Sequence, residues 1–96
     1  MKQFVIHAWD GEDEKALERR MEVRPAHFKK AKDLKSNGNF ILGGAMLNEE
    51  GKMIGSTMVV QFEDEAQLQS WLDTEPYIQG KVWKNFKVFP FRVADV

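Results

Sequence analysis

"NFILGGAMLNEEGKMIGSTMVVQF", residues 39–62, is the segment of the chain that says most about its fold. It holds two apolar runs, "NFILGGAML" and "MIGSTMVVQF", separated by "NEEG", a short polar stretch that contains a glycine. Apolar runs rich in β-forming residues on either side of such a stretch are typical of a β-hairpin. The segment therefore predicts two adjacent antiparallel strands in the middle of the chain.

One strand and one long helical region are predicted before the hairpin. "QFVIHAW" (residues 3–9) is largely apolar at both sets of alternating positions, which is typical of a strand covered on two faces. "DGEDEKALERRM" (10–21) begins with acids, which the first turn of a helix favours. Because proline suits a first helical position, Arg24-Pro25 predicts that the helix is interrupted or restarts there. We expect it to end near Ser36, before Asn37-Gly38.

A helix and a strand are predicted after the hairpin. Asp64 and Gln67 form a capping-box-like start for the helix "EAQLQSWL", and Pro76 marks its end. A turn, "PYIQG", leads to a last strand, "VWKNFKVFPF". The order β-α-β-β-α-β predicts one α+β domain over residues 1–96. It is the ferredoxin-like split unit, a four-stranded antiparallel sheet with both helices on one face.

The other face of that sheet would lack a cover. The strands nevertheless carry apolar residues on both sides, among them Met46, Met58, Val60, Phe89 and Phe91. An exposed apolar sheet of that size would aggregate or pair. We expect a homodimer packed sheet to sheet, with Met58 or Phe89 on the shared face. The alternative is a monomer whose long side chains fold over the sheet.

Composition excludes several classes of protein. The 96 residues are 43% hydrophobic and 30% charged, with a net charge of −1, so there is no basic stripe for nucleic acid. Cysteine is absent, the two histidines lack a second ligand at helical spacing, and no phosphate loop is present. We expect no metal and no cofactor. The start is too short an apolar run for a signal peptide and "FILGGAML" too short to span a membrane, which favours a cytoplasmic protein.

His27 is the polar residue that packing explains least well. On a helical wheel it falls with Ala31 and Leu34 on the apolar stripe that faces the sheet. One interpretation is a core histidine that is satisfied by a backbone carbonyl. The other is a functional imidazole, because histidine is the side chain whose charge changes near neutral pH.

Glu75 is the second polar residue in an apolar setting. It extends the core face formed by Leu68, Trp71 and Leu72, at the point where Pro76 breaks the helix. With both helices on one face of the sheet, Glu75 could approach His27 and orient it for acid–base chemistry. A solvated helix end is the alternative for Glu75, and the alternative acidic partners for His27 are Asp10 and Asp73.

Small residues mark the two strands of the hairpin. Gly43-Gly44 and Gly55-Ser56 lie where glycine is costly in a strand, and they could clear space for a ligand. A bulge explains them equally well.

Three segments together resemble the YciI-like (YCII-related domain) family, essentially end to end. They are "RPAHFKKAKDLKSNGNFILGGAM", "GSTMVVQFEDEAQLQSWLDTEPYIQG" and "FKVFPF". The resemblance implies a dimeric α/β-barrel type of assembly and a histidine paired with an acid that precedes Pro-Tyr. At the matching positions the pair is His27 and Glu75, and the implied ligand-binding residues are Arg24, Gly55, Ser56 and Tyr77.

Two positions depart from the family pattern. Glu75 stands where the family usually has aspartate, and Ala45 stands where a proline often follows the glycine. One branch of the family resembles lyases that eliminate chloride from chlorinated hydroxyquinones. We therefore expect a small-molecule lyase or isomerase with a His-Glu pair. The alternatives are a ligand-binding module without turnover and a dimerisation module in which the pair only anchors two helices.

Overall fold

Seven elements of secondary structure make up the chain, and the computed structural model describes residues 1–96. The strands are β1 (Lys2–Asp10), β2 (Phe40–Leu47), β3 (Met53–Phe62) and β4 (Trp83–Phe91). The helices are α1 (Ala16–Ser36), α2 (Glu65–Leu72) and α3 (Pro76–Gln79). The predicted order of strands and main helices is confirmed, and the expected turn after Pro76 is a short helix.

The four strands form one sheet in the order β2-β3-β1-β4. All three neighbouring pairs are antiparallel, and β1 lies in the centre between β3 and β4. This is the split arrangement of the ferredoxin-like fold, so the predicted fold class is confirmed.

Strand register sorts the side chains onto two faces. Ala8 of β1 lies opposite Ser56 and Phe86, and Val5 lies opposite Val59 and Phe89. Side chains alternate between the two faces along a strand. Ala8 and its partners therefore lie on the face that the helices cover, and Val5 and its partners lie on the opposite face.

The placement of Met58 on a shared dimer face was wrong. Met58 and Val60 are buried in the core beneath the helices, in one cluster with Ile6, Leu68 and Trp71. A shift of one residue exchanges the two faces of a strand. When both alternating sets of side chains are apolar, the sequence does not indicate which set faces the helices.

The predicted break at Pro25 is also wrong, since α1 is continuous from Ala16 to Ser36. Proline removes one backbone hydrogen bond of the helix, here the one to the carbonyl of Met21. Both Pro25 and Met21 are exposed, so that carbonyl can meet water. Arg20 and His27 are buried on either side of Pro25 and hold both halves of the helix against the sheet. The helix also begins after the acidic run rather than inside it.

Two of the predicted helix boundaries and the predicted core face of α2 are confirmed. Asp64 caps α2 by accepting a hydrogen bond from the backbone N–H of Gln67 (2.9 Å). Gly38, just after α1, has a φ of +78°, the left-handed conformation that glycine adopts readily. Leu68, Trp71 and Leu72 are buried on the core face of α2, as predicted.

The sheet face opposite the helices is apolar and uncovered in the single chain. Trp9, Leu42 and Phe89 are 48%, 54% and 48% exposed. Val5 and Val59 lie on the two central strands of the same face, and both are buried. None of the three helices combines the length and the apolar character needed to cross a membrane.

Candidate active site

His27 and Glu75 are brought together although they are far apart in the sequence. Imidazole Nδ1 of His27, on α1, is in hydrogen-bond contact with carboxylate Oε1 of Glu75. Glu75 is 1% exposed and His27 is 8% exposed. Glu75 is held in place because it is the N-cap of α3, where it accepts a second hydrogen bond from the backbone N–H of Tyr77 (3.2 Å).

The hydrogen bond to Glu75 determines which nitrogen of His27 can act as a base. A carboxylate accepts, so Nδ1 carries the hydrogen and Nε2 carries the lone pair when the ring is neutral. Nε2 makes no hydrogen bond within the chain and is not among the fully buried polar atoms. One nitrogen is therefore held and the other is open.

Tyr77 supports the imidazole from below. Its ring stacks on His27 with centroids 3.8 Å apart and an angle of 11° between the planes. Tyr77 is fully buried, and its hydroxyl has no hydrogen-bond partner. Burial raises the pKa of the Tyr77 phenol, because the ionised form would lose its hydration; the nearby positive charges of Arg20 and Arg24 oppose that effect.

A cavity of about 170 Å³ opens beside His27, between α1 and the sheet. Since an apolar cavity of about 150 Å³ admits benzene, a single six-membered ring fits a space of this size. Its polar lining consists of two guanidinium groups, the imidazole and one hydroxyl, with no carboxylate. The lining residues are Arg20, Arg24, His27, Phe28, Ala31, Phe40, Gly43, Gly44, Ala45, Met53, Ser56 and Met58.

Gly43 of β2 leaves room for two side chains that line this cavity. A Cβ atom added at Gly43 would come within 3.0 Å of the Phe40 ring and 3.3 Å of the Met58 side chain. Both neighbours line the cavity and would have to give way by a few tenths of an ångström. Ala45 lies in the same part of the wall.

A second buried pair lies under the cavity. Arg20 Nη1 donates to both carboxylate oxygens of Asp10, at 3.1 and 3.0 Å. Arg20 Nη2 donates to Ser56 Oγ at 2.8 Å, and the Trp83 indole N–H donates to the same oxygen at 3.2 Å. Burial raises the pKa of the Asp10 carboxyl, and the hydrogen bond and charge of Arg20 oppose that rise.

Sequence reasoning missed Arg20, although a signal was present. Arg20, His27 and Leu34 are spaced at seven-residue intervals and therefore share one face of the helix. All three are buried. The wheel that placed His27 on the buried stripe would have placed Arg20 there too, with a need for an acidic partner.

Arg24 is the cation of this cavity that has no acidic partner. It is half-buried, it forms no ion pair, and its guanidinium carbon lies 4.6 Å from the centroid of the Phe28 ring. A cation over an aromatic face at the edge of a cavity is suited to an anionic or oxygen-rich ligand.

The remaining predicted residues divide into those at the cavity and those outside it. Arg24 and Ser56 line the cavity, whereas Tyr77 lies behind His27 and Gly55 lies outside. A Cβ at Gly55 would collide with the carbonyl oxygen of Ala8, so close approach of strands explains this glycine. Asp10 pairs with Arg20, and Asp73 is exposed and accepts from Gln69. Nowhere do three or more potential metal ligands come together.

The family model for the YCII-related domain matches residues 3–92. The chain belongs to the YCII-related domain family. Protein YciI of Escherichia coli O6:H1 is 35% identical over 95 residues, which cover 93% of this chain and 95% of that protein. The resemblance drawn from the sequence segments is confirmed.

Two solved structures share the fold at low sequence identity. One is 5-chloro-2-hydroxyhydroquinone dehydrochlorinase from Burkholderia phenoliruptrix AC1100, in complex with 2,5-dihydroxybenzoquinone. It has a TM-score of 0.82 and 20% identity, with 96% of this chain and 95% of that chain covered. The other is a dimeric ferredoxin-like protein of unknown function from Jannaschia sp. CCS1. It has a TM-score of 0.61 and 14% identity, with 97% and 100% covered.

Proposed function

We propose that this protein is a small-molecule lyase or isomerase in which His27 is the general base and Glu75 orients it. The observation that carries the proposal is that only one of the two nitrogens of His27 has a hydrogen-bond partner. Nδ1 is bound to a buried carboxylate, whereas Nε2 has no partner within the chain, and His27 lines a cavity of about 170 Å³. A carboxylate behind an imidazole fixes its tautomer and stabilises the imidazolium that forms when Nε2 takes a proton.

The substrate class that we propose is a small oxygenated ring. Cavity size admits one six-membered ring, and the polar lining offers cations and donors to oxygen atoms. The dehydrochlorinase with the same fold acts on a chlorinated hydroxyhydroquinone and holds 2,5-dihydroxybenzoquinone in its complex. In an elimination of this type, His27 takes a proton from the substrate and the ring's electron pair expels the leaving group as an anion. The net change is loss of HX.

Two side chains would hold the ring against His27. Arg24 can pair with a phenolate or enolate oxygen at the mouth of the cavity, and Ser56 can hydrogen-bond an oxygen at its base. Both interactions would strengthen as negative charge develops on the ring oxygens after proton abstraction.

A chloride-release assay with 5-chloro-2-hydroxyhydroquinone tests the reaction. We expect turnover in the native protein and its loss in His27→Asn. The matched control is His7→Asn, which removes the other histidine of the chain. His7 lies on the opposite face of the sheet, hydrogen-bonded to Thr57 (2.9 Å), and its loss should leave turnover unchanged.

Other outcomes separate the competing functions. Turnover that survives in His27→Asn would contradict the proposed base. Binding of 2,5-dihydroxybenzoquinone with no turnover of any chlorinated ring would favour the ligand-binding module. Absence of both, with a large loss of stability in His27→Asn, would favour the anchoring role.

We also propose that two copies pair through the open sheet face. Trp9, Leu42 and Phe89 are half-exposed on one apolar surface, and the Jannaschia protein of the same fold is described as dimeric. The interface should exceed roughly 1,200 Å² in total. Light scattering should give a dimer that Phe89→Asp dissociates and Leu17→Asp does not, because Leu17 is an exposed apolar residue on α1. A native monomer at micromolar concentration would contradict the pairing.

A further inference from the structure

Ser56 Oγ already accepts two hydrogen bonds from within the chain. Arg20 Nη2 and the Trp83 indole nitrogen lie 2.8 and 3.2 Å away. Neither group can accept, because guanidinium and indole N–H are donors only. A hydroxyl has two lone pairs and one hydrogen, so both acceptor positions of Ser56 are occupied and only its hydrogen remains.

That hydrogen has no acceptor within the protein. Ser56 makes no hydrogen bond as a donor, and Asp10, which shares Arg20 with it, is not among its hydrogen-bond partners. Ser56 is only 2% exposed, and the space open to it is the cavity beside His27. A buried polar hydrogen without an acceptor is costly, so it must be directed into the cavity.

Asp10 keeps Arg20 in this orientation. The two hydrogen bonds from Nη1 to the carboxylate fix the plane of the guanidinium, which leaves Nη2 aimed at Ser56. The Arg20 side chain is 4% exposed and its guanidinium carbon lies 4.8 Å from the centroid of the Tyr77 ring, so it has little freedom to turn.

We infer that Ser56 is a fixed hydrogen-bond donor to the ligand and that Arg20 is the positioning residue that makes it one. The ligand must therefore present an acceptor oxygen, such as a carbonyl, phenolate or carboxylate, at the base of the cavity. An amine or ammonium group at that point would place its own N–H donors against the hydroxyl hydrogen of Ser56, and no hydrogen bond would form. The inference rests on the proposed function insofar as the ligand occupies the cavity beside His27, and it deepens that proposal by naming what the ligand offers to Ser56.

Calorimetric titration with 2,5-dihydroxybenzoquinone tests the role of each residue. Ser56→Ala should raise the Kd about ten-fold or more, the loss expected for one hydrogen bond to a charged acceptor. Arg20→Lys keeps the charge beside Asp10 but loses the planar fork, and should raise the Kd by a similar factor. The matched control is Arg19→Lys, at the neighbouring arginine, which is partly exposed and lies outside the cavity, and it should leave the Kd unchanged.

The double variant distinguishes positioning from direct contact. If Arg20 acts through Ser56, the combined Ser56→Ala and Arg20→Lys variant should bind no more weakly than Ser56→Ala alone. Losses that multiply would mean that Arg20 contacts the ligand itself, which would overturn its positioning role. An unchanged Kd in Ser56→Ala would overturn the donor role.

Neutron diffraction of ligand-free crystals shows the direction of the Ser56 hydroxyl hydrogen in the native protein. This test needs no ligand, and it does not depend on the folding of Arg20→Lys. A Ser56 hydroxyl deuterium directed into the cavity supports the inference, and one directed at Asp10 or a backbone carbonyl overturns it. If the native protein does not bind the quinone, the proposed substrate class fails, while the position of this deuterium still decides the role of Ser56.

Discussion

Helix α1 carries two buried pairs of a basic and an acidic side chain that look alike and are suited to different tasks. Arg20 pairs with Asp10, and His27, seven residues further along the same helix face, pairs with Glu75. In both cases the base comes from α1 and the acid from a different element of the chain. The acids lie at the end of β1 and at the N-cap of α3.

The two basic side chains differ in how their charge responds to pH and in which of their nitrogens are hydrogen-bonded. A guanidinium is charged at every accessible pH, and that of Arg20 is tied to Asp10 and Ser56. An imidazole can gain or lose a proton near neutral pH, and that of His27 is tied at one nitrogen only. Burial and an acidic partner therefore do not by themselves mark a reactive group. Under the proposed function, the free nitrogen of His27 beside the cavity is what sets it apart from Arg20.

Tyr77 lies between the two pairs. Its ring stacks on the His27 imidazole at 3.8 Å, and the Arg20 guanidinium carbon is 4.8 Å from its centroid. The two pairs are thus joined by one buried aromatic side chain, and each can be perturbed separately to test the contrast.

Breaking the Arg20 pair should have the largest effect on stability. Asp10→Ala leaves a guanidinium buried without its acid, and we expect the free energy of unfolding to fall by about 3–5 kcal/mol. Equilibrium denaturation in urea measures it. A loss below about 1 kcal/mol would show that water or another acceptor replaces Asp10, and the two pairs would then not differ as described.

Removing the imidazole should cost less stability than removing Asp10. His27→Asn loses the stacking on Tyr77, but the amide of the new side chain can still donate a hydrogen bond to the buried carboxylate of Glu75, so the free energy of unfolding should fall by less than about 3 kcal/mol. The same urea titration measures this loss. A larger loss than that of Asp10→Ala would reverse the comparison and identify His27 as the structural member.

The phenol of Tyr77 should report the low polarity between the two pairs. Tyr77 is the only tyrosine of the chain, so the ultraviolet absorbance of tyrosinate follows this residue alone. Since burial raises its pKa above 10.0, the folded protein should ionise Tyr77 at higher pH than the unfolded chain does. Its contribution to stability is complete below pH 10 and is lost as the pH rises through the folded pKa. Identical titrations with and without urea would contradict this.

The smallest effect is expected at the neighbouring exposed pair. Arg19 precedes Arg20 directly, and its Nη2 lies 2.8 Å from Asp13 Oδ1, with both side chains open to solvent. Asp13→Ala should leave the urea midpoint almost unchanged, because solvent screens an exposed ion pair. A shift comparable to that of Asp10→Ala would mean that burial is not what distinguishes these two arginines.

Periodicity and the order of elements were sufficient to predict the architecture. Alternation in "QFVIHAW", the hairpin at residues 39–62 and the capping of α2 by Asp64 depend on neighbours in the sequence, so local rules apply to them. The position of His27 on the buried face of α1 follows from helical geometry in the same way. Its pairing with Glu75 needed the topology as well, because only that brings α1 and the segment before Pro76 together.

The tertiary structure alone decided the rest. Which face of β3 carries Met58 depends on register against β1, and a strand that is apolar on both sides does not encode it. The continuity of α1 through Pro25 depends on packing on both sides of the proline, which outweighs one lost hydrogen bond. Asp10, Arg20 and Ser56 meet because they lie on three separate elements, β1, α1 and β3, that pack against one another. The partner of a buried charge therefore depends on tertiary contacts and not on neighbours in the sequence.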